Sequence, residues 1–438
     1  MSKLEEKEGV LNDWKTEFSE NLELVVLPEM SAVQEQCIYL VPPEIRQLNP
    51  KAFTPQVVCI GPFHRQHGSG LEGNYFMQME ELKLKYLKGF LHRTHLNVKD
   101  LVLKLEECET KIRSSYAMTL NLDSNELIKI ILVDACFIIE HFLRCYMFEN
   151  WEENDPLFLK PWLLVHVHSD LLLLENQLPF FVLDDIYNLS GMNMTFFSFL
   201  SVTFQYFGQY NRQNILPEGF SHPKHLTDIL RTFIIPSSFD FEIERDVEIQ
   251  HVYSATQLSE AGLVFKASED EHKSLLDIDL NEGVLTMPHF RVHDITEVFM
   301  TNILVFEQCH HREAKYMSQY FWILGFLIKT EKDVDILVDK KIIVDLIGDA
   351  KEVVTVFRNL RKNVSLPSFG AKYKNICMGL NDHFDTNPWN KYMSIFKHDY
   401  FNTPWKIAST TAAVLLLLLT LIQTVCSVIQ VVQGSKPN

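Results

Sequence analysis

The sequence lacks the short motifs by which many catalytic and cofactor sites are recognised. Its 438 residues contain no Gly-x-Ser-x-Gly elbow, no glycine-rich phosphate loop ending in Gly-Lys, and no His-Glu-x-x-His. The eight cysteines include no Cys-x-x-Cys pair, which fits a reducing compartment. We therefore assign no catalytic residue and expect no cofactor.

Positive charge is also scarce. Lysine and arginine together number 40 against 57 acidic residues, so the formal net charge is −17. Binding to nucleic acid without sequence preference needs clustered cations that displace counterions from phosphates. A domain that lies flat on an anionic membrane needs cations as well. We therefore expect no nucleic-acid partner and interpret the acidic balance as a means of keeping the domain soluble.

The N-terminus has no apolar segment typical of a signal peptide. Its first residues, MSKLEEKEGVLNDWKTEF, are acidic on balance. We expect any C-terminal span to be inserted after synthesis, as in tail-anchored proteins, with the bulk in the cytosol. Lys391, Lys397 and Lys406 precede the apolar C-terminal segment and Lys436 follows it, which favours the same orientation.

The longest apolar run lies near the C-terminus. Residues 407–432, IASTTAAVLLLLLTLIQTVCSVIQVV, carry no charged side chain. At about 1.5 Å per residue, a helix of this length crosses a hydrocarbon core of roughly 30 Å. We predict a transmembrane helix with Ile407, Leu415, Leu419 and Val432 among its anchoring residues. A buried core helix is the alternative, and the length slightly favours a thick membrane such as the plasma membrane.

Small residues recur at the start of this run. Ala408 and Ala412, like Ser409 and Ala413, are four positions apart and share one face of a helix. Small residues let two membrane helices approach closely. This face is a candidate for helix packing and makes a homo-oligomer possible.

The rest of the chain is predicted to be mainly α with a small β-sheet. In the first long helical segment, Leu82, Tyr86 and Phe90 form one apolar stripe at helical spacing. Pro179 is expected to interrupt the helix over 162–189. The other helical patterns cover 97–119, 124–149, 293–309, 312–329, 331–338, 349–361 and 368–383.

Extended segments are predicted at three places. The runs at 37–41 and 57–60 are apolar and end at Pro-Pro and Gly-Pro, which is typical of strands. Alternation over 275–280, an Asn-Glu-Gly turn at 281–283 and the run 284–287 indicate a β-hairpin.

No internal repeat and no linker rich in Pro, Gly or Ser divides the chain. We therefore predict one helix-rich soluble domain followed by the membrane helix. The expected parts are an acidic mobile arm at 1–36, the domain at 37–398, a juxtamembrane stalk at 399–406, the span at 407–432 and a short tail at 433–438.

Two motifs resemble ligand sites. Residues 68–73, GSGLEG, match the glycine pattern of dinucleotide folds, but they do not follow directly on a strand and no alternating strands and helices come after them. His166, His168 and Asp170 have the His-x-His-x-Asp spacing of some metallohydrolases. A helical pattern flanks them, and on a helix His166 and His168 point about 200° apart. We therefore predict a flexible glycine loop and two partly exposed histidines, with a metal site as the alternative.

A polar cluster stands inside an apolar run. Glu175, Asn176 and Gln177 follow four leucines and precede Pro179. Burying such groups costs several kcal/mol unless each one finds a partner. We expect them to brace the chain break before the proline, and a ligand site is the alternative.

Many of these residues occur in the order typical of one plant family. The shared pieces include the segments 38–42, 55–64, 133–140, 170–179 and 399–405. Between them come Met79, Glu80, Lys83, Ala261, Gly262, Phe265, 276–278, 283–285, Thr296, Glu297, Asn302 and 306–309. No single piece is specific, but their order from about residue 37 to the anchor resembles the plant-specific domain of unknown function 247, also called uncharacterised protein family 0481.

The resemblance implies a largely helical protein that ends in one membrane-spanning helix. The biochemical activity of the family is not established. Some members are associated with self-incompatibility in grasses, which suggests recognition between proteins. The shared motifs are rich in Pro, Gly, apolar and helix-bracing residues, so they indicate determinants of the fold more than catalytic groups.

Three functions are compatible with the sequence. The first is a membrane-anchored recognition or signalling protein with an unidentified protein partner. The second is a hydrolase-like enzyme that uses His166, His168 and Asp170, or the 175–177 cluster, together with distant acids such as Glu297 and Glu307. The third is a receptor with its large domain outside the cytosol, in which the sequons at Asn188, Asn193 and Asn363 would be glycosylated.

Overall fold

The computed structural model describes residues 35–66, 74–147, 151–192, 197–220, 222–236, 249, 251–311, 315–362, 364, 369–386 and 404–434. Seventeen α-helices and five short strands occur in these residues, so the prediction of a mainly helical fold with a small sheet is confirmed. The acidic arm up to residue 34, the glycine motif at 68–73 and the sequons at Asn193 and Asn363 lie outside the described residues.

The helices of the first half are α1 Pro43–Arg46, α2 Phe63–Gln66, α3 Asn74–Thr94, α4 Val98–Ser114, α5 Ser124–Tyr146, α6 Pro156–Leu159, α7 Pro161–Leu171, α8 Phe180–Leu189, α9 Phe199–Tyr206 and α10 Leu226–Thr232. Those of the second half are α11 Ala255–Glu260, α12 Thr296–His310, α13 Tyr316–Leu327, α14 Glu331–Asp339, α15 Ala350–Lys362, α16 Ala371–Asp385 and α17 Pro404–Gly434. The strands are β1 Val264–Ala267, β2 Asp279–Asn281, β3 Val284–Met287, β4 Phe290–Val292 and β5 Ile343–Asp345.

Helix α5 is the centre of the first half. Its sequence is apolar on every side, and side chains from Leu127 to Arg144 are buried almost without interruption. A helix of this kind must be covered all round, and α3, α4, α8 and α9 pack against it. Asp123 caps its N-terminus: the Asp123 side chain accepts a hydrogen bond from the backbone N–H of Glu126 at 2.8 Å.

The hairpin is confirmed. Strands β2 and β3 pair antiparallel, with Leu280 opposite Leu285. Glu282 and Gly283 connect them with φ angles of 45° and 77°, the left-handed geometry that a tight hairpin turn requires. Strand β1 adds to β3 in parallel, and β4 pairs with β5 in a separate parallel sheet.

The predicted strands at 37–41 and 57–60 do not form. Ile38 makes one isolated bridge with Tyr116. The backbone N–H groups of Val57, Val58 and Ile60 bond to side chains, as detailed below for Asp170 and Asn176. The segments are extended and apolar as expected, but distant side chains take the place of a neighbouring strand.

The interruption of the helix before Pro179 is present. Helix α7 ends at Leu171 and α8 begins at Phe180, directly after the proline. The residues between them are buried. Because buried backbone groups must be paired, this connection depends on the polar side chains within it.

Candidate functional site

A buried lysine joins three parts of the first half. The Lys83 ammonium, on α3, lies 2.7 Å from Asp134 Oδ1 on α5 and 2.7 Å from Glu80 Oε1, and it also donates to the Cys59 carbonyl. The second oxygen of Asp134 accepts from the Gly61 N–H at 2.8 Å. Lys83 and Asp134 are both fully buried. These contacts hold α3, α5 and the extended segment before α2 together.

A second ionic cluster lies further along the same helices. Arg93 donates two hydrogen bonds to the Glu140 carboxylate, at 2.9 and 3.0 Å. Arg144 bonds Glu140 at 3.0 Å and Asp155 at 2.7 Å, and its guanidinium lies 4.3 Å from the centre of the Tyr86 ring. The hydroxyl of Tyr86 donates to Asp155 at 3.0 Å. Every charge in this cluster has a partner, so its role is to connect helices.

Gly61 stands where no side chain fits. Its φ is +72°, and a Cβ atom there would lie 2.7 Å from the Gln177 carbonyl oxygen. Both the left-handed backbone and this close approach require glycine. Gly61 and Pro62 end the predicted strand at 57–60. They thus fix how closely this segment approaches the α7–α8 connection.

The candidate metal ligands are not brought together. Asp170 accepts from the backbone N–H groups of residues 56–58, at 2.8 to 2.9 Å. His168 Nε2 lies 3.1 Å from the Tyr210 hydroxyl, and the His166 ring contacts Trp162. Burial raises the pKa of Asp170 to about 7, and the three backbone donors act in the opposite direction. Within the described ranges, no group of three or more His, Cys, Asp or Glu side chains is placed to hold a metal ion.

The 175–177 cluster serves the backbone. Glu175 accepts from the Val41 N–H at 2.6 Å and pairs with Arg46. Asn176 accepts from the Ile60 N–H at 2.7 Å. The remaining bonds of Asn176 and Gln177 go to the carbonyls of Val58, Asp170, Leu171 and Leu173 and to the N–H of Leu226. The cluster thus replaces the backbone pairing that the α7–α8 connection and the 37–41 and 57–60 segments lack.

The distant acids proposed for an enzyme also have separate partners. Glu297 accepts from Asn49 at 2.8 Å and from Asn359 at 3.3 Å. Glu307 accepts from the N–H groups of Met317 and Ser318 at 2.9 Å. Each acid therefore joins two neighbouring elements, and neither contacts the 175–177 cluster through these bonds.

Buried histidines make stability depend on pH. The imidazole of His225 is fully buried; its Nε2 lies 3.0 Å from the Cys37 carbonyl oxygen, and its ring meets Phe306 edge-on at 4.6 Å. Burial lowers the pKa of His225 to about 3. The unfolded chain therefore binds a proton that the folded chain excludes, and stability is lost as the pH falls below the usual histidine pKa of about 6.5.

We expect the wild type to lose roughly 1 kcal/mol more unfolding free energy than His225→Gln between about pH 7 and pH 5.5. The variant removes the titrating group, so its stability should change less with pH even if it is lower throughout. Denaturant unfolding of the full chain in micelles at both pH values measures this. The control is Phe357→Leu, a buried substitution that should lower stability equally at both. An identical pH dependence in His225→Gln and the wild type would contradict the expectation.

An exposed apolar surface lies on α6 and α7. It consists of Phe158 and Leu159 on α6 and of Trp162 and Val165 on α7, each between 40% and 60% exposed. The two helices are in contact. We call this surface the Trp162 face. Contiguous apolar residues on a surface indicate a contact site for another molecule, and tryptophan is the residue most enriched at the energetic centre of such contacts. Sequence patterning alone missed this surface, although the apolar residues at 158, 159 and 162, close together in the sequence, were a signal for it.

The anchoring residues named from sequence all lie on α17. Ile407, Leu415 and Leu419 are 43% to 62% exposed, and Val432 is within the helix. The span Trp405–Ile429 is long and apolar enough to cross a membrane, and none of its side chains is buried. The hydroxyls of Thr420 and Thr424 donate to carbonyls one turn earlier, at 2.7 Å, as a polar group in hydrocarbon requires.

The candidate packing face is present on the same helix. Ala408, Ser409, Ala412 and Ala413 are all exposed near its N-terminal end. The Ser409 hydroxyl donates to the Lys406 carbonyl at 3.1 Å, so it is bonded within the helix. Packing of a second helix against these four positions stays a prediction.

Comparison with known proteins identifies the family. The profile of the DUF247 family, described as "Plant protein of unknown function", matches residues 38–419. UPF0481 protein At3g47200 of Arabidopsis thaliana is 29% identical over 449 residues, covering 95% of this chain and 91% of that protein. Putative UPF0481 protein At3g02645 of the same plant is 22% identical, covering 88% and 89%. No solved structure matches the chain. The chain belongs to the DUF247 family of plant proteins, whose function is unknown.

Proposed function

We propose that this protein is a single-pass membrane protein whose helical domain binds another protein through the Trp162 face. The observation that carries the proposal is the exposure of Trp162 and Val165 on one side of α7. The exposed half of these side chains costs free energy in water that a partner would recover by covering it. The ionic clusters, in contrast, have their partners within the fold and are not available for recognition.

Charge indicates what kind of partner fits. Trp151 stacks on Phe158 with ring centres 5.8 Å apart, and the next two residues, Glu152 and Glu153, are exposed beside the face. The whole chain carries a net charge of −17, which makes two copies repel each other. A partner with an apolar patch and a basic rim complements this surface better than a second copy does.

The proposed membrane position follows from α17. With the helix inserted, the three lysines before the span would stay on the cytosolic side. The helical domain would then meet its partner in the cytosol, next to the membrane. Similar length and coverage in the two Arabidopsis relatives support a shared architecture.

A photo-crosslinker placed at Val165 tests the contact. In plant cells that produce the full chain, irradiation should give one reproducible crosslinked product from position 165. The matched control carries the crosslinker at Leu103, which is about as exposed (59%) but lies on α4. Adding Trp162→Glu should reduce the product from position 165 at least about tenfold, because a charge in the centre of the contact must be desolvated.

Three outcomes would contradict the proposal. The first is the same product from both positions, and the second is a product that Trp162→Glu does not reduce. The third is a product of twice the mass of the chain, which would assign the face to self-association. Circular dichroism of the Trp162→Glu variant should match the wild type, since the side chain is half exposed.

A further inference from the structure

We propose that a cleft between the end of α10, strand β4 and the start of α12 binds a small amphipathic anion, with one carboxylate or phosphate group on an apolar body. We call it the Arg212–Arg291 cleft. This binding site is independent of the Trp162 face and of the proposed protein partner. Arg212 and Arg291 are far apart in the sequence and line the same cleft only in the folded protein.

The cleft has the size and wall of a small-molecule site. Its volume is about 290 Å³, near the lower end for small ligands. Phe233, Phe290 and Phe299 form much of the wall and are nearly fully buried. The rings of Tyr210 and Phe299 lie with their centres 4.5 Å apart. This wall offers an apolar body a preformed apolar surface.

The charged residues that line the cleft are all basic. Arg212, Lys273 and Arg291 contribute side chains, together with two histidines, and no aspartate or glutamate is among the lining residues. Lys273 pairs with Asp277 at 3.1 Å. In the part of the chain that the structure describes, neither Arg212 nor Arg291 makes a salt bridge. Two guanidinium groups thus share a cleft of a protein in which acids outnumber bases by 57 to 40.

Arg212 is held in place by the backbone. It donates to the carbonyl of His289 and, at 3.4 Å, to that of Glu271. Burial lowers the pKa of Arg212 and repulsion from Arg291 lowers it further, while Tyr320 and Glu271 act in the opposite direction. The two guanidinium groups are therefore close enough to repel each other. A bound anion would relieve this repulsion, and the planar guanidinium groups suit the two oxygens of a carboxylate or phosphate.

Among the neighbouring acids, Glu271 acts on Arg212 less strongly than the repulsion from Arg291 does. On the outer rim, Asp345 Oδ1 accepts from the N–H groups of Ile347 and Gly348 at 2.9 Å, and Glu271 is exposed to solvent. Helix α12 begins at Thr296, a lining residue, so the positive end of its dipole adds to the positive potential. The charged residues that line the cleft therefore favour an anion over a cation.

Calorimetric titration of the full chain in nanodiscs of neutral lipid tests the proposal. The probes are phenylacetate and phenyl phosphate, with 2-phenylethanol as the neutral aromatic control and inorganic phosphate as the anion without an apolar body. Each aromatic anion should bind at least about tenfold more tightly than both controls, because only it uses the cations and the wall together. The tighter of the two aromatic anions identifies carboxylate or phosphate as the preferred group.

Two variants locate the binding. Arg291→Gln should weaken the aromatic anions about tenfold or more, and Leu346→Glu, which adds a carboxylate at an exposed lining position, should abolish their binding. Both positions are exposed, so the fold should be kept. The matched control is Arg358→Gln, an exposed arginine on α15 outside the cleft, which should bind as the wild type does.

Equal affinities for phenylacetate and 2-phenylethanol would overturn the proposal. So would unchanged binding in Arg291→Gln and Leu346→Glu, or no heat of binding up to about 10 mM of any probe. Failure of these titrations leaves crosslinking at the Trp162 face unaffected, so the two proposals fail separately.

Discussion

Replacing Lys83 with methionine should destabilise the protein by about 3–5 kcal/mol. The substitution keeps the apolar stem but removes the charge that pairs with Asp134 at 2.7 Å, where both side chains are fully buried. The buried Asp134 carboxylate would then keep only the Gly61 N–H, at 2.8 Å, and the more distant Arg65 guanidinium, at 3.4 Å. For a domain of this size, a fall in melting temperature of about 5 °C is expected. Thermal unfolding of the full chain in micelles, followed by tryptophan fluorescence, measures it.

Lys85→Met is the matched control. Lys85 lies two positions further along α3 and is exposed, so its loss should change stability by less than about 0.5 kcal/mol. The double variant Lys83→Met with Asp134→Leu should lose less stability than the sum of the losses of the two single variants. The reason is that neither member of the pair is left buried without the other. Equal stability of Lys83→Met and Lys85→Met would show that the buried ion pair does not hold α3 to α5.

Placing two arginines in the middle of α17 should release the protein from membranes. Leu416→Arg and Leu419→Arg replace residues that are 65% and 62% exposed near the centre of the span. Each arginine there costs about 2.5–3.5 kcal/mol on the insertion scale. We expect most of the double variant in the supernatant after alkaline carbonate extraction, while the wild type stays in the pellet. The matched control, Leu416→Ile with Leu419→Ile, should behave as the wild type does.

Protease treatment of sealed membranes tests the orientation of the same helix. With tags at both ends of the wild type, the N-terminal tag and the helical domain should be digested while the C-terminal tag survives. Protection of the domain would place it on the other side and make the sequon at Asn188 accessible to glycosylation. Extraction of the wild type by carbonate would show that α17 does not cross the membrane.

Elements governed by short-range pattern were predictable. The continuous apolar run of α5 predicts either a buried helix or a buried strand. Its length of 23 residues favours the helix. The β2–β3 hairpin follows from its turn, since Gly283 accepts the left-handed geometry. The interruption at Pro179 follows from the missing N–H of proline.

Elements that depend on distant partners were not predictable. The 57–60 segment has the composition of a strand, yet its N–H groups bond to Asp170 and Asn176, more than one hundred residues away. Lys83 lies on the helix face of Leu82, Tyr86 and Phe90, whereas Lys85 does not, but only the packing of α3 on α5 decides that Lys83 pairs with Asp134. The Arg212–Arg291 cleft is lined by two segments 79 residues apart in the sequence. The hydrogen bond from Arg212 to the His289 carbonyl joins the same two segments.

By itself, the sequence determined the apolar span, the helical composition of the domain and the family to which the chain belongs. The span and the helices depend on composition and periodicity within short segments of the chain. Family membership depends on the order of motifs along the sequence. The tertiary structure decided which polar residues became internal braces and which surfaces stayed open, at the Trp162 face and the Arg212–Arg291 cleft. The physical reason is that burial and pairing depend on which segments meet, and many of these contacts join residues far apart in the chain.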